Sequence, residues 1–353
     1  MCNRLRKYIK KMKAPKKTSI KDIANVLGVS PSTVSRALNN NSRISDKTRA
    51  AVQQIAKRLG YQPNQLANAL RSGKSYLVGI IIPRNNSAFF SSIVENIEKV
   101  LNKEGYNIII ALSYESYEKE CNNIESLLFT QVDGIIASIA NETIELDYYR
   151  KIKENGIPLI LFDRGGDDLE VDYVGIDDYN CSHIVVDHLV EQGCKKIAHI
   201  SGFKHKRIYK HRMMGYRDAL QKNNLQLNER LIIESNLRIE DGRRIMEQFL
   251  ELPERPDAVY AAGDFAALGA LQVLLERNIK VPEEIALVGF SNEPFTSYVN
   301  PSISTINQHS AQIGRKAADI FLKRIKNPSR EKGLNKIIID AELIVRKSSD
   351  RFN

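Results

Sequence analysis

This sequence has few cysteines, no long apolar run and almost no acid near its amino end. Its four cysteines, Cys2, Cys121, Cys181 and Cys194, share no paired or metal-type spacing. That excludes a disulfide-stapled secreted scaffold and a zinc module, and it fits free thiols in a reducing cytoplasm. No apolar stretch approaches the roughly 18 residues that a membrane span needs. The basic amino end runs into polar residues, so no secretory signal is expected. The sequence has no G-x-S-x-G, no Walker A loop, no H-E-x-x-H and no GxGxxG after a strand. Its six histidines are scattered, and the close pair His183 and His188 stands at i, i+5, off the one-face geometry of a helical metal pair. The chain therefore reads as a non-enzyme with no cofactor and no metal.

The shortage of acid is local. Residues 1–74 hold 17 Lys/Arg and 2 Asp/Glu, while residues 75–353 hold 35 and 40. A basic head on a mildly acidic body is the electrostatic footprint of a polyanion binder. At 353 residues and 42% apolar composition, two or three domains with real cores are expected. Residues 1–17 read as a disordered basic arm, with Met12 an alternative start.

The stretch Ile20–Asn40, IKDIANVLGVSPSTVSRALNN, reads as two short helices meeting at a tight turn. Ile20, Ile23, Ala24 and Leu27 recur at helical spacing. Gly28 ends that helix, because a left-handed residue there carries no Cβ penalty. Val29 fills the corner. Ser30 is a good N-cap, and Pro31 suits the first turn, where its missing N–H would be unpaired anyway. Val34, Ala37 and Leu38 then face inward, while Ser32, Ser35, Arg36 and Asn39 face out. A helix that enters the major groove needs such a thin polar face, and Arg36 can grip a guanine with two donors. The plainer alternative is a helical pair packed on another domain, with Arg36 solvated. A third helix starts at Ser45 and buries Val52, Ile55, Ala56 and Leu59 before Gly60 stops it.

Pro63 and Asn64 open a short segment with Leu66, Ala67 and Leu70 on one side, followed by the linker Ser72–Ser75. One or two turns of helix are marginal alone in water, so this segment is expected to order only against a partner. From Leu77 the pattern changes to apolar strands: YLVGIIIP, NIIIAL, DGIIAS, PLILFD, VDYVGID, KIAHISG, LIIES, DAVYAAG and IALVGF. Helices between them are expected near Ser91–Glu104, Cys121–Thr130, Tyr148–Asn155, Arg212–Asn223, Asp241–Leu250 and Ala266–Arg277. Alternating buried strands and helices mean parallel sheets, and so many strands imply two α/β subdomains.

Ligands of such sheets bind beyond the carboxyl ends of the strands. Asn85, Asn86, Phe89 and Phe90 follow the first strand, Asp163 and Arg164 follow PLILF, Lys204, His205, Lys206 and Arg212 follow KIAHISG, Asp264 follows DAVYAAG, and Ser291 and Asn292 follow IALVGF. Rings with charged groups suit a polyhydroxylated small molecule, with Phe89, Phe90, Asp163, Lys206, Arg212, Asp264 and Ser291 the candidates. Asp264 could equally cap its helix. Phe89 and Phe90 could equally be core, and 204–210 a solvated loop.

From about Thr18 onward the chain resembles the lactose-repressor/galactose-repressor (LacI/GalR) family of bacterial transcription regulators. The motifs are SIKDIANVLGVSPSTVSRALNN, ISDKTRAAVQQIAKRLGYQPNQLANALRSGKS, QVDGIIA, AAGDFAALGAL and P-ISTI. The resemblance implies a cytoplasmic, nucleoid-associated repressor. It would be a homodimer on a near-palindromic double-stranded operator, with a small-molecule effector, a carbohydrate, in a cleft of the core. It implies a helix-turn-helix domain over 18–62 and a hinge helix and linker over 63–75. The core, 76–353, would resemble a periplasmic sugar-binding protein, with one subdomain about 76–176 plus 309–336 and the other 178–307 plus 338–353. By the same resemblance Ser19, Ser30, Thr33 and Tyr61 touch phosphates, Ser32 and Arg36 bases, and Leu70 wedges into the minor groove beside Ala67. Two departures stand out. Pro31 sits where the family often reads DNA with a side chain. Ser291 stands where many relatives carry an Asp, which, with Lys206 and Arg212, points to an anionic or unusual carbohydrate. A carbohydrate-binding transport component is the alternative reading, opposed by the basic head.

Overall fold

The computed structural model describes residues 18–38, 41–61, 73–165, 169–327 and 333–352, in two units that divide after Ser75. The expected arm, Asn39 and the hinge residues Ala67 and Leu70 lie outside the described residues.

Among the described residues the head has three helices, α1 (Ile20–Leu27), α2 (Pro31–Leu38) and α3 (Asp46–Arg58). Ser19 and Asp22 form a reciprocal capping box on α1: Asp22 Oδ2 accepts from the Ser19 amide at 2.7 Å. Gly28 ends α1 at φ 64°, its amide returned to the Ala24 carbonyl. Ile23, Ala24, Val34, Ala37, Val52 and Ala56 form the small core, and Val29 and Tyr61 pack on it. Leu59 departs from expectation and is exposed, because α3 ends at Arg58 and its cap turns off the buried face.

The second unit holds two parallel sheets. Strands β1 (Leu77–Ile82), β2 (Asn107–Leu112), β3 (Gly134–Ala137), β4 (Leu159–Phe162), β5 (Asp172–Ile176) and β11 (Lys336–Ile339) form the first, in the order β11-β5-β4-β3-β1-β2. Strands β6 (Ile197–Ser201), β7 (Ile232–Glu234), β8 (Ala258–Ala261) and β9 (Ala286–Val288) form the second, in the order β7-β6-β8-β9. A ribbon of β10 (Thr305–Asn307) and β12 (Glu342–Ile344) is antiparallel, and a bridge from Val288 to Ser304 joins it to the second sheet's edge. Ile80, Ile136, Ile160 and Val174 are fully buried, as strands covered on both faces require.

The helices of the first lobe are α4 (Ala88–Lys103), α5 (Tyr117–Phe129), α6 (Asp147–Glu154) and α11 (Ser310–Lys326); those of the second are α7 (Asp178–Glu191), α8 (Arg207–Lys222), α9 (Ile239–Leu250) and α10 (Asp264–Glu276). The chain passes between lobes near 177, 308 and 340, so each lobe is built from discontinuous segments. Strand β11 ends at Ile339, so the first lobe takes the opening residues of the 338–353 segment. Helices α4, α5 and α8 begin up to five residues before the sequence reading; of the three, α5 alone has a side-chain N-cap, Ser116 accepting from the Lys119 amide. Helices α7 and α11 and strands β10, β11 and β12 had not been expected. Helices α9 and α10 touch backbone to backbone: Gly242 faces the Ala266 carbonyl and Gly269 the Ile239 carbonyl.

Candidate DNA-contact face and effector cleft

On the head, the turn between α1 and α2 places α2 with one buried and one open face. Ser30 Oγ accepts from the Thr33 amide at 3.1 Å and lies 2.7 Å from Ser32 Oγ. Ser19, Ser30, Ser32 and Arg36 are exposed, and Thr33 and Tyr61 are half-buried. The face is thus short hydroxyls with one long guanidinium, a shape that can approach base edges closely. Arg49, by contrast, is committed to the fold: it donates to the carbonyls of Asn41 and Ile44 at 3.3 and 3.1 Å and pairs with Asp46 at 2.8 Å.

The cleft lies where both sheets present the carboxyl ends of their strands. Its inner cavity is narrow, about 70 Å³, lined by Phe89, Phe90, Asp163, Arg164, Tyr209, Arg212, Asp264, Ser291, Glu293 and Gln308, among others. An outer vestibule of about 390 Å³ adjoins it through Arg84 and Phe265, and includes Asn85, Asn86, Tyr114 and Arg238.

Side chains cross the cleft on both sides. Glu293, at the start of a short 3-10 turn in the second lobe, accepts from Ser87 Oγ at 2.5 Å and from the Ala88 amide at 2.8 Å, both at the start of α4. On the other side His205 Nε2 lies 2.7 Å from the Asn141 carbonyl oxygen, and Lys206 Nζ donates to the Thr143 carbonyl. Arg164 reaches the Tyr209 hydroxyl at 3.3 Å.

The electrostatics follow from burial. Asp163 is pushed up to about 6 by burial, against the pull of Arg164 and Arg212. Burial likewise raises Asp264 to about 7, although its carboxylate accepts from Thr305 Oγ1 at 2.7 Å and from the Glu293 amide at 2.8 Å. Burial would also raise Glu115, but Arg164 at 2.6 Å and Arg84 at 2.8 Å bring it down to about 2. Burial lowers Lys206 to about 8, and Arg164 adds to the effect.

The expected effector residues separate in space. Phe89, Phe90, Asp163, Arg212, Asp264 and Ser291 do line one cavity. Phe89 and Phe90 are buried in the core as well, their rings 5.2 Å apart edge to face. Arg212 lines the cavity with its guanidinium already bound to Asp178 and the Ala262 carbonyl. Asp264 is spent on Thr305 and Glu293. Lys206 does not line the cavity but holds the 139–143 loop from the far side. Arg164, which follows β4 beside Asp163 as expected, also lines it, whereas the sequence reading missed Arg84, Ser87, Tyr209, Glu293 and Gln308. The signal open to it was position after a strand, which Arg84 and Glu293 satisfy.

Among the described residues no helix is long and apolar enough to cross a membrane, and no cluster of three His, Cys, Asp or Glu could hold a metal.

Known proteins share both parts. A model of bacterial regulatory proteins, lacI family, matches residues 19–64, and one of a periplasmic binding protein-like domain matches 186–349. The HTH-type transcriptional repressor CytR of Escherichia coli (strain K12) is 30% identical over 341 residues, covering 96% of this chain and 99% of that protein. The transcriptional regulator CelR, solved as a cellobiose complex, is 27% identical with a TM-score of 0.71, covering 94% of this chain and 100% of that one. The lac repressor dimer bound to operator and the anti-inducer ONPF shares the fold, with a TM-score of 0.84 over 95% of this chain and 99% of that one at 24% identity.

Proposed function

The chain belongs to the lacI family of bacterial regulatory proteins, DNA-binding transcriptional regulators that answer to a small molecule, and from that premise we propose how this member works. It acts in the bacterial cytoplasm as a homodimeric repressor without enzymatic activity. Paired heads read a near-palindromic operator. Ser32 and Arg36 contact bases, while Ser19, Ser30, Thr33 and Tyr61 contact phosphates. Asn39 extends the same face, and Leu70, beside Ala67, wedges into the minor groove. The effector is a carbohydrate or sugar derivative held in the cleft.

The observation that carries this reading is the exposed hydroxyl-and-guanidinium face of α2 on a head with 17 Lys/Arg against 2 Asp/Glu in residues 1–74. Such a face gains affinity by releasing counterions from phosphates and specificity from Arg36. The cleft supports a carbohydrate through rings beside carboxylates and arginines, and CelR, a similar regulator, was solved with cellobiose. Duplexes selected from a random pool with the full-length protein test the proposal. A selected site should show two related half-sites. Affinity for it should fall steeply with salt, and Arg36→Ala should relax base preference within each half-site. Retention of equal amounts of every duplex, at any salt, would refute it.

A further inference from the structure

Glu293 belongs to the second lobe, but its carboxylate ends in the first. Helix α4 is 16 residues long, and Ser87, at its N-cap position, makes no side-chain cap bond to its own helix. The opening amides of a helix lack intrahelical partners and favour an anion. Here the anion comes from across the cleft. Glu293 takes the Ser87 hydroxyl at 2.5 Å, the Ala88 amide at 2.8 Å and the Phe89 amide at 3.4 Å. Its own backbone is fixed, since its amide donates to Asp264 at 2.8 Å and its carbonyl accepts from Thr296 Oγ1 at 2.6 Å. The side chain is 4% exposed and lines the inner cavity. The opposite rim is held by contacts to backbone carbonyls, the Lys206 ammonium donating to Thr143 and His205 Nε2 lying 2.7 Å from the Asn141 oxygen. The lobes therefore meet through the protein's own groups, and a cavity of about 70 Å³ remains. That is far below the roughly 300 Å³ at which small-molecule pockets begin.

We propose that Glu293 is a tethered ligand of the cleft. It draws the lobes together when no effector is bound, and an effector enters by replacing its carboxylate on Ser87, Ala88 and Phe89. The class of effector that fits that seat is a small molecule carrying a carboxylate. The proposal deepens the reading of the cleft as the effector site. A tethered group acts at an effective concentration in the millimolar range, so an incoming carboxylate needs further contacts in the cavity to win.

The test uses the full-length protein, its Glu293→Ala and Glu293→Gln variants, and sodium acetate as probe against sodium chloride at equal ionic strength. Removing the tether should enlarge the radius of gyration measured by X-ray scattering in both variants. Acetate should leave that larger radius unchanged in Glu293→Ala, because a free carboxylate fills the seat without joining the lobes, and should raise that variant's melting temperature by about 2 °C, the mass-action shift for ligand near ten times its Kd. Wild type, whose seat is filled, should not respond, and neither should Glu293→Gln, whose amide still fills the space. Unchanged dimensions in both variants, or equal acetate shifts in wild type and variants, would overturn the proposal. If Glu293→Ala does not fold, Glu293→Gln decides through its radius of gyration alone. None of these readouts involves DNA or sugar, so the tether and the repressor reading can fail separately.

Discussion

The Arg212 guanidinium carbon lies 3.5 Å from the centre of the Phe290 ring. Its Nε and Nη2 each reach Asp178 Oδ1 at 2.8 Å, and its Nη1 donates to the Ala262 carbonyl at 2.9 Å. Side chains of both partners are almost fully buried, at 3% and 4% exposure. Arg212 therefore fastens α8 to the start of α7 and to the loop after β8, and turns little free donor capacity toward a ligand. Removing one partner of a buried pair strands the other charge. Arg212→Met should lower stability by about 3 kcal/mol. Adding Asp178→Asn should recover part of that loss, since the stranded carboxylate goes with it. Calorimetric melting of both variants and of the double variant checks the coupling; purely additive losses would contradict it.

Two arginines of the head should part company. Arg36 is exposed on α2, so Arg36→Ala should leave the head's melting unchanged and cost about 1–3 kcal/mol of operator binding, concentrated at one base position. Arg49 holds two carbonyls of the 41–44 turn. Arg49→Ala should lower the melting of the head instead, and weaken DNA binding only as far as the head unfolds. Circular dichroism melts beside mobility shifts on a selected operator separate the two. Equal effects on melting would show that exposure misjudges Arg36.

The head was legible in the sequence because its rules are local. Ser19, Gly28, Ser30 and Ser45 each act within a few residues of themselves, and the apolar spacing of α1 and α2 names the core. The long strands were legible as unbroken apolar runs. Helix α7 was not, because DYNCSHIVVDHLVE mixes buried Asp178, Ser182 and His188 with its apolar residues and has no clean stripe. Strands β10 and β12 are three residues each and pair across 35 residues of chain, so no local pattern marks them. The cleft was half legible. Position after a strand found Asp163 and Ser291, but Glu293 meets Ser87 across 206 residues, a pairing that only the fold reveals.

Gly269 tests the packing of the second lobe. In most helices Gly→Ala stabilises by up to about 1 kcal/mol, since it removes backbone freedom from the unfolded chain. A Cβ at Gly269 would instead run into the Ile239 carbonyl and the Arg243 amide, backbone atoms that cannot swing away. Gly269→Ala should therefore destabilise by about 2 kcal/mol, the scale of overpacking a tight contact. Chemical denaturation of the full chain measures it. A stabilised variant would mean that α9 and α10 can separate freely.

Asp163 sets a pH dependence whose sign follows from its burial. In the folded protein its carboxyl is pushed up to about 6, against an ordinary value of 3.8. Between those values the native state holds a proton that the unfolded chain has lost, so this group's contribution to stability falls as pH rises from about 4 to about 6 and is flat above. Asp264, raised to about 7, adds a decline of the same sign that continues to about 7. Asp163→Asn removes the first of these. Its left-handed backbone, φ 57°, suits Asn as well as Asp, so the turn after β4 should survive. The variant should match wild type near pH 3.5 and exceed it at pH 7.5, by on the order of 2 kcal/mol. Calorimetry of both proteins across that range is the measurement. Parallel curves would mean that Arg164 and Arg212 hold the carboxylate ionised and that burial is not the larger effect.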